Sequence, residues 1–152
     1  MTEKSQNGWK ASKDPAEINI KSFPIEGTDR KIRCNALAGR LLAAFAKEFH
    51  EQVEPIDKGT FDEWGYAYRN VRGDTDNLSN HSSGTAIDLN ATKHPLGKRD
   101  TFNKEQRAIL DALCKKYKLR GGYTYTSRAD DMHFEINCTR AEAKKLADEL
   151  GL

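Results

Sequence analysis

The sequence predicts an α+β domain, a small and mostly antiparallel sheet with helices packed around it. Three observations carry that expectation. Three segments repeat apolar residues at helical spacing, three short pieces have strand character, and the two kinds are mixed without a regular β-α-β rhythm. With 152 residues the chain fits one domain, 1–152, around one core, since domains commonly run to roughly 100–200 residues.

The first helical segment, "NALAGRLLAAFAKEFHEQV", places Leu37, Leu41, Phe45 and Phe49 at i, i+4 steps with Asn35 available as a cap. The second, "NKEQRAILDALCKKYKL", sets Ile109, Leu110, Leu113 and Tyr117 behind Asn103. The third, "TRAEAKKLADELGL", opens on a Thr139–Glu142 capping box and carries Ala143, Leu146 and Leu150 on one side. Strand-like pieces are "EWGYAYRNV", "TAIDLN" and "MHFEINC". Residues 1–14 are polar and are expected to be flexible, with Trp9 as an anchor against the domain.

Composition excludes several functions. Hydrophobic residues at 37% and charged residues at 32% make a globular chain rather than a disordered one. A net charge of +2 with no basic run argues against a nucleic-acid partner. No window approaches the roughly 20 apolar residues of a membrane span, so no stable membrane association is expected. The N-terminal segment has no apolar signal core, which predicts a chain first kept in the cytoplasm. Cys34, Cys114 and Cys138 are odd in number and scattered, so free, mostly buried thiols are expected. The chain is expected to act as a monomer.

The stretch "LSNHSSGTAIDLN" holds the first chemistry. On a helix, His81 and Asp88 would lie about 10 Å apart along the axis, and on a flat strand they would point to opposite faces. Sharing one metal ion therefore requires a bend between them, which Gly84 and the preceding serines can supply. After the bend, Ile87 and Leu89 face a core and Asp88 the other side. A carboxylate there costs free energy unless something positive meets it.

A catalytic zinc commonly has three protein ligands and an open fourth position. "DDMHFEIN" offers the third, with His133 and Glu135 on one face, Phe134 and Ile136 on the other, and Asp130 and Asp131 just before. Taken singly, a histidine at a strand edge is more often structural than a ligand. Two histidines, each with nearby carboxylates and each on a strand-like piece of one small domain, shift the balance towards a metal. His50 and His94 lack such company and are expected at the surface.

These two stretches resemble the signature motifs of the D-Ala-D-Ala carboxypeptidase and L-Ala-D-Glu endopeptidase family of zinc peptidases. Ser79, His81, Gly84, Ala86 and Asp88 match S-x-H-x-x-G-x-A-x-D, and Asp130 with His133 matches an acid three residues before a ligand histidine. "WGYAYRNVRG" and "LRGGYTYTSRADDMHFE" extend the likeness, which spans roughly Asn7 to Asn137, and phage endolysins look closest. The resemblance implies a hedgehog-like fold in which His81, Asp88 and His133 hold zinc on the open sheet face. It also implies that Asp130 is the general base and acid, and that Arg69 stabilises the oxyanion or holds a substrate carboxylate.

Some assignments stay open at this level. Arg72 rivals Arg69, whose other reading is a surface ion pair. Strand alternation would put Asp131 rather than Asp130 beside His133, so the family pattern implies an irregular chain just before Met132. Glu135 either orients a ligand or is solvated. The Pro95–Gly97 loop is the expected substrate contact. For function, the resemblance implies a peptidoglycan hydrolase that cuts the bacterial stem peptide, with L-alanyl-D-glutamate endopeptidase favoured, and an endolysin held in the host cytoplasm until release to the wall. No separate wall-binding domain is expected. Alternatives are a D-Ala-D-Ala carboxypeptidase or dipeptidase, a tail-associated enzyme, and a non-catalytic hedgehog-like zinc module, against which the retained Asp130 argues.

Overall fold

The computed structural model describes residues 3–56 and 59–152. Among these, the elements run β1 (Glu3–Lys4), β2 (Lys10–Ala11), β3 (Ile20–Pro24), β4 (Lys31–Asn35), α1 (Ala38–Gln52), β5 (Ala86–Asp88), α2 (Lys104–Tyr117), β6 (Leu119–Gly121), β7 (His133–Ile136) and α3 (Arg140–Glu149). All strand pairs are antiparallel: β1 with β2, β3 with β4, and a sheet in the order β5-β7-β6. The fold is therefore the small α+β arrangement that the mixed periodicities predict. No helix among the described residues is long and apolar enough to cross a membrane.

Local chemistry sets the helix starts. Asn103 and Gln106 exchange side-chain and backbone hydrogen bonds at 2.8 and 2.9 Å, and Thr139 and Glu142 do the same at 3.2 and 3.0 Å, so both capping boxes satisfy amides the helix leaves open. Helix α1 is started differently. Its cap position is Leu37, and Asn35 at the end of β4 accepts from the amides of Leu37 and Ala38 at 2.9 and 3.2 Å.

The core lies between α1 and the ladder β5-β7-β6. Phe45 and Phe49 of α1 pack on Phe134 of β7, with ring centroids 4.8 and 5.8 Å apart, and Tyr117 of α2 meets Phe45 edge-on. Ile87 and Phe134 are register partners and both fully buried. Their neighbours Asp88 and His133, also partners, therefore come out together on the other face.

Several elements differ from expectation. Residues 63–71 run extended without forming a strand. The amides of Trp64, Tyr66 and Ala67 bond to the carbonyls of Asp88, Arg33 and His81, on different segments, so only single bridges arise, such as Trp64 with Asp88. The hairpin β3–β4 and strand β6 were not anticipated. On α3, Ala143 and Ala147 are buried while Leu150, at 38% exposure, is not, because the helix presents its small residues to α1 and ends before Leu150 can reach the core.

At the N-terminus, Met1 and Thr2 lie outside the described residues. Between Glu3 and Asp14 the chain is largely exposed and is tied to the domain at a few points. The Trp9 indole donates to the Cys138 carbonyl at 2.9 Å, and the Asn7 amide group reaches Thr85 and the Ile136 carbonyl. Cys34 and Cys114 are buried, Cys138 is half-buried, and all three are free thiols.

Gly84 closes the turn Asn80–Ser83 with φ +69°, and its carbonyl accepts from the Asn35 amide at 2.9 Å. A Cβ there would sit 2.5 Å from that same nitrogen. Gly84→Ala should therefore destabilise the fold by more than about 1 kcal/mol, combining a left-handed backbone with a backbone clash, as measured by urea unfolding.

Candidate metal centre and active site

The β5–β7 register sets Asp88 directly opposite His133. His81 approaches from the turn Asn80–Ser83, where its own amide donates to the Ser79 hydroxyl at 3.2 Å and Gly84 reverses the chain. Asp88 Oδ1 lies 3.3 Å from His133 Nδ1, and Asp88 Oδ2 lies 3.4 Å from His81 Nε2. One donor atom from each of the three residues falls within 4.8 Å of the others, and all three residues are buried. Tetrahedral bonds of about 2 Å place ligand atoms roughly 3.3 Å apart, so this trio needs little movement to hold an ion.

Hydrogen bonding fixes which ring nitrogens face the centre. His81 Nδ1 meets the Gly65 carbonyl at 2.8 Å and so carries the proton, leaving the Nε2 lone pair free. That Nε2 is buried and, among the described residues, has no hydrogen-bond partner. His133 is held the other way round: Nε2 donates to Glu135 at 2.7 Å, and Nδ1 turns to Asp88. Glu135 is itself gripped by the Tyr125 hydroxyl at 2.9 Å and by Asn80. Glu135 is thus buried and orients a ligand rather than being solvated. Position 65 admits only glycine, because a Cβ there would collide with the Arg33 carbonyl.

The charges agree with this geometry. Burial alone would raise the Asp88 carboxyl, but the flanking imidazoles of His81 and His133 hold it far below the usual carboxylate range. For His133, burial pulls downward, and the hydrogen bonds to Asp88 and Glu135 outweigh it and push the ring up to about 10. Two imidazole nitrogens and a carboxylate, with one lone pair unmet, fit a divalent metal of the zinc type.

Asp130 lines the same cavity, a cleft of about 730 Å³, with one oxygen 3.9 Å from His133 Nδ1. Burial and the charge of Asp88 raise its pKa against the pull of His133, His81 and Arg69. Asp131 points away. It is 1% exposed, and one oxygen accepts from the Thr101 amide and hydroxyl at 3.0 and 2.7 Å. The chain turns at Asp131 and Met132, with the His133 amide bonded to the Asp130 carbonyl, so strand alternation begins only at His133. Arg69 also lines the cleft, its backbone tied to Ser79 and Ser82, and its side chain makes no ion pair among the described residues. Arg72, exposed, stands at the same rim.

Other placements correct the sequence reading. His94 is not at the surface. It is 2% exposed, stacked on Phe102, and bridges Thr101 and Glu54 at 2.6 and 2.9 Å. With Asp131 on Thr101, it pins the loop between β5 and α2. His50 is half-buried and accepts from the Ile56 amide. Of the Pro95–Gly97 loop, Leu96 reaches the cleft. The Gly65 carbonyl, Asn80 and Tyr125 carry no local signal of their role, because each acts on a residue distant in sequence or through the backbone.

Residues 72–136 match the family model described as D-alanyl-D-alanine carboxypeptidase, a segment that contains His81, Asp88, Asp130 and His133 and leaves Arg69 just outside. Over this segment the chain is similar to that family. No curated protein and no solved structure matches it. The matched segment contains the turn that carries His81 together with β5, α2, β6 and β7.

Purified protein should take up about one zinc per chain, and His81→Ala should abolish uptake. Glu135→Gln should keep the fold and weaken metal affinity about 10- to 100-fold, as read in a competition titration with a chelator. A pH test is independent of activity. In metal-free protein, His133 binds its proton more tightly folded than unfolded, where its value is 6.5. Its stabilising contribution is therefore complete below that value, as long as Asp88 stays ionised, and is lost as pH rises through about 10. The melting temperature of chelated protein should accordingly fall between pH 7 and 10, whereas metal-loaded protein should lack this decline.

Proposed function

We propose that this chain is a zinc-dependent peptidoglycan hydrolase that cuts the L-alanyl-D-glutamate bond of the stem peptide. The observation that carries a catalytic reading is Asp130. Its carboxylate lies beside the donor set, makes no hydrogen bond among the described residues, and is raised by burial. A purely structural metal would have no use for a free base at that place, which argues against a hedgehog-like binding module.

His81, Asp88 and His133 would hold the zinc, which when bound supplies a Lewis acid that activates water and polarises the scissile carbonyl. Asp130 takes a proton from the attacking water and delivers it to the leaving amine nitrogen, a task suited to a carboxylate with a raised pKa. Arg69, without an ion-pair partner among the described residues, offers its planar fork to the oxyanion or to a substrate carboxylate. Glu135 and Tyr125 keep the His133 ring oriented throughout.

An internal cut is favoured by the cleft, which extends past the donor set on both sides, from Trp64 to Arg120 and Arg128. The description of the matching family model favours a second reading, removal of terminal D-alanine. The endolysin role, with storage in the host cytoplasm and action on the wall as a monomer, follows from the motif resemblance and belongs to this proposal.

Digestion of purified peptidoglycan followed by mass spectrometry names the bond: new D-glutamyl amino termini are expected, and preferential release of D-alanine would replace the endopeptidase reading with the carboxypeptidase one. Asp130→Asn should retain metal and lose about 100-fold or more in rate. Asp131→Asn should leave the proton transfer intact and lower the melting temperature by loosening Thr101. The reverse ranking would transfer the base role to Asp131.

A further inference from the structure

The donors stand in the middle of a face four chain segments wide. Trp64 exchanges both backbone hydrogen bonds with Asp88, at 3.0 and 2.8 Å, so it lies along the free side of β5. On the other side follow β7 and then β6, which carries Arg120 opposite Glu135. Register partners share a face, so Trp64, Asp88, His133, Glu135 and Arg120 all project to the cleft, and Trp64 and Arg120 both line it. At about 4.8 Å per step, the two outer segments stand roughly 14 Å apart, with the donors between them.

The two edges differ in chemistry. Trp64 is 52% exposed and offers an uncharged aromatic surface. At the other edge, the Arg120 guanidinium lies 4.6 Å from the centroid of the Tyr125 ring, whose hydroxyl is fixed to Glu135. The stack holds the group in place without neutralising it. Neither Arg120 nor the nearby Arg128 makes an ion pair among the described residues, and both line the cleft.

We propose that Arg120, assisted by Arg128, forms a specificity subsite for a free carboxylate of the substrate, on the opposite side of the metal from Trp64. An extended peptide advances about 3.4 Å per residue, so two strand steps from Asp88 correspond to a carboxylate roughly two or three residues from the reacting bond. The inference rests on the peptidase reading above and deepens it. The D-Glu side of the cut, which carries free carboxylates, lies on the arginine edge, and the L-Ala side lies towards Trp64. Amidated stem peptides are therefore poor ligands.

The test is calorimetric titration of zinc-loaded protein with a peptide that begins at D-Glu and has free carboxylates, and with its carboxamide analogue. Wild type should bind the amide on the order of 10-fold more weakly, the usual loss of a charge-assisted hydrogen bond. Arg120→Gln should bind both at the weaker level, and Arg120→Lys should recover part of the preference. Arg120 is exposed, so neither change threatens the fold. Equal binding of the two peptides by wild type, no binding of either, or an undiminished preference in Arg120→Gln would overturn the subsite. If the preference follows Arg120 and yet no L-Ala-D-Glu bond is cut in whole peptidoglycan, the subsite stands and the endopeptidase reading falls.

Discussion

Side chains alternate along a strand, so a slip of one residue between β5 and β7 would turn Asp88 or His133 into the core. Ile87 and Phe134 prevent it. Both are fully buried and packed under the aromatic rings of α1, and moving either to the open face would expose a large apolar surface. Core and candidate metal centre are thus two faces of one register. Asn35 extends the constraint: its side chain starts α1, and its amide holds Gly84, whose turn delivers His81.

Three ionisable groups buried together are expensive to keep unless each is met by charge or hydrogen bond. Here the second atoms are all provided for. Gly65 receives one imidazole, Glu135 the other, and the Asp88 carboxylate faces both rings. The remaining donor atoms converge within 4.8 Å of one another. Behind the site, Asp131, Thr101, His94 and Glu54 form a buried polar clasp that fixes the loop leaving β5. Adjacent aspartates thereby divide the work, one facing the cleft and one supporting its wall.

What could be read from the sequence was what is encoded locally. Capping boxes at Asn103 and Thr139 and the apolar spacing of Leu41, Phe45 and Phe49 each depend on neighbours within a few residues, and the structure contains them. The bend at Gly84 followed from parity and glycine geometry, whereas the grouping of His81, Asp88 and His133 as one ligand set rested on the motif resemblance. His94 escaped because its partner Glu54 lies forty residues earlier. Leu150 and the segment 63–71 misled because periodicity does not reveal where a helix stops touching the core, or whether an extended run finds one partner strand or several. The hairpin β3–β4 had a visible alternation in Ile32 and Cys34, with Gly27 in its turn, yet it stood apart from the motifs that drew the reading.

None of the three thiols belongs to the donor set. Burial raises the pKa of Cys34 far above its usual value and pushes Cys114 up to about 11, and burial with the charge of Glu142 raises Cys138. Peroxide attacks sulfur as the thiolate, of which such groups hold little at neutral pH. The imidazole and carboxylate donors present no sulfur at all. A metal centre built from them is indifferent to the passage from a reducing to an oxidising medium, with no ligand to be oxidised away and no disulfide needed to keep its shape.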